Sequence, residues 1–99
     1  MGERNITEFS IGKTKQPQRV GPIQMQLRSV DPKKYKFTVD VYADDKLIEK
    51  KDKTVDEPVQ FYVRGVRTPY EIVVFEATKD HIKGYLSTPK EGGPGKQSP

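Results

Sequence analysis

The chain has 99 residues, a net charge of +4 at neutral pH, one histidine and no cysteine. That length holds a single domain, and the lack of cysteine excludes disulfide staples, thiol chemistry and cysteine metal sites. Hydrophobic and charged residues each make up 32% of the chain, a balance that invites disorder, but the apolar residues fall in discrete runs between Ile23 and Leu86.

Met1 to Gly21 is polar, with Ile6, Phe9 and Ile11 spaced for a short edge strand. Lys13 to Arg19 reads as a linker, and Gly21-Pro22 punctuates it. Ile23 to Arg28 then alternates apolar and polar at every step, the pattern of a half-buried strand. Asp31-Pro32-Lys33-Lys34 is a turn. Tyr35, Phe37, Val39 and Val41 fill one face of the next strand. The stretch from Asp44 to Lys53 has residues that a helix tolerates. Leu47 and Ile48 have no second turn of apolar spacing, so an exposed hairpin strand is the better fit. Lysines 46, 50, 51 and 53 would keep such an edge from pairing with other chains.

Asp56-Glu57-Pro58 turns the chain again. Val59, Phe61 and Val63 alternate with polar neighbours, and Arg64 to Pro69 forms a loop. Tyr70 to Ala77 is apolar on both faces, which predicts a central strand buried on both sides. Ile82, Gly84 and Leu86 line the inner face of a last strand, where Gly84 marks a bulge. The sequence after Pro89, rich in Gly and Pro, reads as a disordered tail.

The expected fold is therefore all-β: a small antiparallel β-sandwich of six or seven strands, immunoglobulin-like in architecture, with a disordered C-terminal tail. A five-stranded OB-like barrel is the alternative, and it requires a helix after Asp44. The expected divisions are a mostly flexible segment over 1–22 with an edge strand, a β-domain over 23–88 and a tail over 89–99.

Three segments carry a family resemblance: Tyr42-Ala43-Asp44-Asp45-Lys46, Glu57-Pro58-Val59-Gln60-Phe61-Tyr62 and Gly84-Tyr85-Leu86-Ser87-Thr88-Pro89-Lys90. They resemble segments of small, uncharacterised exported bacterial β-sandwich proteins. The resemblance spans roughly residues 23 to 90. It implies a soluble sandwich and favours a periplasmic or secreted setting slightly over a cytoplasmic one. It implies no activity.

Catalytic motifs are lacking. His81 is the only histidine, and Ser10, Ser29, Ser87 and Ser98 are the only serines. None of these serines sits in a Gly-x-Ser-x-Gly elbow. Six of the fourteen carboxylates, Asp31, Asp44, Asp45, Asp56, Glu57 and Asp80, fall in turns, where such side chains bond their own backbone. No enzyme, cofactor or metal site is expected: one histidine cannot build a zinc site, and no calcium loop is present.

The folded part holds twelve basic and eleven acidic side chains, so most of the excess charge lies in the flanks. That favours a solvated surface over a nucleic-acid face. Tyr42, Tyr62 and Tyr85 oppose the apolar positions of their strands, and Arg64 follows Tyr62 closely. These four are the candidate ligand-binding residues, because exposed aromatics anchor proteins or stack on sugars. The expected function is a non-catalytic interaction or structural module that binds a protein partner. The alternative is a weak glycan or single-stranded nucleic-acid binder, attracting polyanions. A monomer without membrane insertion is expected.

Overall fold

A computed structural model describes residues 3–90; the expected disordered tail lies almost wholly outside them. Eight strands form two antiparallel sheets. They are β1 (Arg4–Gly12), β2 (Gln18–Val20), β3 (Ile23–Asp31), β4 (Lys36–Ala43), β5 (Lys46–Thr54), β6 (Val59–Phe61), β7 (Tyr70–Thr78) and β8 (His81–Pro89). One sheet runs β2-β3-β4-β5 and the other β1-β8-β7-β6. The sandwich is as expected from the alternating runs, with eight strands rather than six or seven. The segment read as mostly flexible contributes two of them, β1 and β2.

The connectivity differs from the immunoglobulin plan. Every strand pairs with a neighbour in sequence, except that β1 pairs with β8. The chain winds as one meander round a flattened ring that is open at two corners, β1/β2 and β5/β6. An immunoglobulin sandwich needs Greek-key crossings between sheets, and here the chain crosses only at those corners. The OB-like alternative also falls away, because the stretch after Asp44 is strand β5.

Apolar parity sets the two inner faces. Ile23, Met25 and Leu27 of β3 and Phe37, Val39 and Val41 of β4 are buried against Phe9 and Ile11 of β1, Ile72 and Val74 of β7, and Ile82 and Leu86 of β8. Tyr35 does not join this face. It stands in a left-handed conformation (φ 56°) after a short 3-10 turn at Pro32–Lys34, and its ring is exposed.

The turns explain the acidic residues. Asp44 and Asp45 connect β4 to β5 with φ 54° and 61°. A two-residue hairpin with both central φ values positive is the type I′ turn, which Asp and Asn enter at low cost. Asp52 and Asp56 are also left-handed (φ 54° and 67°). Asp52 sits where β5 slips register against β4 and donates its N–H to Thr38 Oγ1 at 3.0 Å. Asp56 stands at the corner where the chain leaves one sheet for the other, and its N–H bonds the carbonyl of Val74 at 2.7 Å.

Gly84 marks a bulge, as its sequence context predicts. Val74 pairs with Gly84 and Glu76 with Lys83, so Phe75 is the extra residue of β7. A Cβ at Gly84 would lie 2.8 Å from the Val74 Cα and closer still to the Val73 carbonyl oxygen. Backbone cannot yield to that approach as a flexible side chain would. Gly84→Ala is therefore expected to destabilise the fold by more than about 2 kcal/mol. Gly12→Ala, where the nearest atom is 3.4 Å away, serves as the tolerated control, both measured by urea unfolding.

Candidate interaction surfaces

The structure distributes the four candidate residues over two places. Tyr42 lies on the outer face of the β2-β3-β4-β5 sheet, half-buried between Gln24 and Leu47 of the flanking strands, and its hydroxyl donates to Gln26 Oε1 at 3.4 Å. Tyr85 lies on the outer face of the other sheet, between Glu8 and Val73. The three tyrosines thus share no common face. Parity within a strand tells which side chains oppose the core, but it does not tell which sheet the strand joins.

Tyr62 and Arg64 do come together. Both follow β6 and line a cleft with Ala43, Asp44 and Lys46. Tyr62 is 63% exposed. The N–H of Arg64 bonds Asp44 Oδ2 at 2.8 Å, so the β4–β5 turn carboxylate also ties down the loop after β6. Tyr42 borders the adjoining concavity with Arg19, Asp44 and Leu47. Beneath, Phe61 and Tyr70 pack edge to face with centroids 5.5 Å apart. Burial raises the Tyr70 phenol above its ordinary value, and the Asp44 charge adds to the shift.

A raised phenol pKa favours the folded state below pH 10, the ordinary value, and that contribution is lost as pH rises through the folded value. Tyr70→Phe is accordingly expected to flatten the fall in stability above about pH 10 while leaving neutral-pH stability nearly unchanged. Denaturant midpoints measured from pH 8 to 11 check this.

One pairing escaped the sequence reading. Ser10 Oγ lies 2.6 Å from His81 Nε2. The register of β1 against β8 places Gly12 opposite His81 and Ser10 opposite Lys83, so the two side chains meet diagonally on the outer face. Seventy-one residues separate them, and only strand pairing reveals the contact. No carboxylate among the described residues bonds the ring, and the pair is exposed, so the arrangement works as a cross-strand hydrogen bond. Among the described residues no cluster of three or more His, Asp or Glu is placed to hold a metal ion. No helix among them is long and apolar enough to cross a membrane.

Two further surfaces emerge from the fold. The first is a shallow groove in which Lys13, Thr14 and Lys15 border Gln26, Leu27 and Arg28 of β3. Gln26 holds the segment through a bond from Nε2 to the Thr14 carbonyl at 3.1 Å. Arg28 pairs with Asp40 at 3.6 Å. The second is the outer face of β1, β8 and β7. The sequence predicts β7 buried on both faces, yet only the side bearing Tyr70, Ile72 and Val74 is covered. Phe75, outward by the same parity as Val73, is 48% exposed, Ile6 of β1 is 57% exposed, and Val73 and Tyr85 are half-buried between them. The polar residues Glu8, Glu71, Glu76 and Lys83 surround this apolar strip.

The free edges of the long outer strands contrast sharply. β5 has Lys46, Lys50, Lys51 and Lys53, a register slip, and a left-handed residue at Asp52. Lys50 stands opposite inward-facing Val39, so its side chain leaves the strand on the core side of the sheet. Burial, with the Lys53 charge beside it, lowers its pKa. Lysines, bulges and inward charges are the devices that stop strand addition. β1 has none of them. It pairs with β8 over nine residues without a slip and carries only Arg4 and Glu8 as charges. Lys50→Val is expected to raise the thermal midpoint by about 3 °C and to make the protein self-associate through β5, readable by calorimetry and light scattering. No protein family model, curated protein or solved structure matches the chain.

Proposed function

We propose that this chain is a non-catalytic interaction module that binds an extended polypeptide segment along the free edge of β1. Strand addition supplies affinity from main-chain hydrogen bonds and selectivity from alternate side chains. The observation that carries the reading is the asymmetry of the edges: β5 is guarded three ways, and β1, of the same length, is not. The exposed strip runs inward from Ile6 on that edge strand through Tyr85 of β8 to Val73 and Phe75 of β7, and its Ile6 end gives a bound segment apolar surface for an outward side chain. Tyr85 belongs to this site, whereas Tyr42, Tyr62 and Arg64 border the clefts by the β4–β5 turn.

The groove of Lys13, Lys15 and Arg28 favours a second reading, attraction of a polyanion or acidic glycan. Salt separates the two, since phosphate- or sulfate-driven contacts weaken steeply as salt rises and addition of an uncharged strand does not. The test is an amide NMR titration with an alternating Val/Thr nonapeptide and, separately, with heparin. The peptide is expected to shift the amides of β1 and of Tyr85 saturably, with little dependence on salt. Heparin shifts confined to Lys13, Lys15 and Arg28, with no response to the peptide, would replace the first reading by the second.

A further inference from the structure

The backbone phase of the free edge is fixed by two bonds at the ends of β1. Lys90 donates its N–H to the Glu3 carbonyl, and Lys13 donates to the Asp80 carbonyl, both at 3.1 Å. Both belong to the β1–β8 register. Bonded and non-bonded pairs alternate along an antiparallel ladder. Odd residues of β1 therefore direct their backbone groups at β8, and Arg4, Ile6, Glu8 and Ser10 direct theirs at the open edge. The side chains of these even residues stand on the outer face, beside the apolar strip.

We propose that the occupant of this edge is a second copy of the chain, its β1 lying antiparallel to the first about a two-fold axis at Ile6. The proposal rests on the reading of β1 as the binding edge. The charges select the register. Arg4 and Glu8 have no ion-pair partner among the described residues, and four residues along a strand hold them about 13 Å apart. Centring the axis at Ile6 sets Ile6 against Ile6 of the second copy, Arg4 against its Glu8, and Glu8 against its Arg4. Each of these residues has its backbone groups turned to the partner. Centring the axis at Glu8 would oppose like charges, which destabilises a pair. Placing it midway would set Ile6 against Glu8. An axis at Ile6 is thus the register in which both charges and the apolar residue are matched.

The Arg4 guanidinium lies over β8, toward the loop before β7. Its Nε donates to Ser87 Oγ at 2.7 Å, and its Nη2 donates to the carbonyls of Pro69 and Ser87. Its charge is therefore held on the outer face one strand in from the edge, and pairing with Glu8 of the second copy draws it back from these bonds toward β1. The result is a continuous eight-stranded sheet across two copies, closed by symmetry so that it does not propagate. It buries a single strand edge, so the dimer is weak, with a dissociation constant on the order of 100 µM.

Sedimentation equilibrium of the full chain over a wide concentration range tests this, with Glu8→Pro and Glu8→Lys beside the wild type. Proline at position 8 removes one edge-facing donor and leaves the β8 ladder intact. The wild type is expected to dimerise, and each variant to weaken the dimer by about tenfold or more. Raised salt is expected to weaken the wild-type dimer as well, because the Arg4–Glu8 pairs are exposed. If Glu8→Pro fails to fold, Glu8→Lys decides alone, since it leaves the backbone unchanged. A variant that dimerises as tightly as the wild type overturns the proposal. A wild type that stays monomeric while the nonapeptide still shifts β1 amides overturns the dimer but leaves the edge as a peptide site. A monomer whose β1 amides ignore the peptide overturns both.

Discussion

The ladder between β1 and β8 is the constraint on which the rest of this fold depends. It joins the two ends of the meander through nine residue pairs without a slip. Without it, β8 would lose its outer neighbour and Phe9 and Ile11 would leave the core. The ladder also explains Arg4, whose guanidinium ties the start of β1 to Ser87 and to the loop before β7. A straight pairing of this kind has a consequence on its far side. The strand that closes the ring toward β8 presents an equally straight, unpaired edge away from it, and that edge is the proposed binding site.

Charge in this protein is distributed by backbone need more than by chemistry. Among the described residues, aspartates occupy four of the five non-glycine left-handed positions, at 44, 45, 52 and 56. Lysines gather on β5, the long strand whose edge lies toward the open β5/β6 corner. These placements account for eight of the 32 charged side chains that make the sequence resemble a disordered chain. They also leave the β1 region poor in charge, and the outer strip of Ile6, Val73, Phe75 and Tyr85 is the surface least explained by stability. Burying an apolar residue lowers free energy, whereas leaving Phe75 out at a bulge does not. The bulge beside it, which sets Phe75 and Glu76 on the same outer face, is held in place by Gly84.

Much of this architecture was legible in the residues. Strict alternation marks Ile23 to Arg28 and Phe37 to Val41 as strands with one buried face, and both are. The lysines mark β5 as an edge, and Gly84 announces its bulge. The reading fell short wherever the answer depended on which strands meet. Tyr42 and Tyr85 have the same parity within their strands but lie on different sheets. The contact of Ser10 with His81 exists only because β1 pairs with β8. The double-sided apolar pattern of Tyr70 to Ala77 suggests burial on both sides, but no layer covers the outer side of β7. Of the candidate residues, Tyr62 and Arg64 were close in sequence and share a cleft. The β1 edge was visible only as three widely spaced apolar residues, because a free edge is defined by the absence of a neighbouring strand.

The most direct test of the account is native-state hydrogen exchange of the β1 amides in dilute solution. The ladder predicts alternation: slow exchange at Asn5, Thr7, Phe9 and Ile11, whose N–H groups face β8, and fast exchange at Ile6, Glu8 and Ser10, whose N–H groups face the open edge. Uniform protection along β1 in the dilute protein would contradict the account, because it would mean that something else already covers the edge.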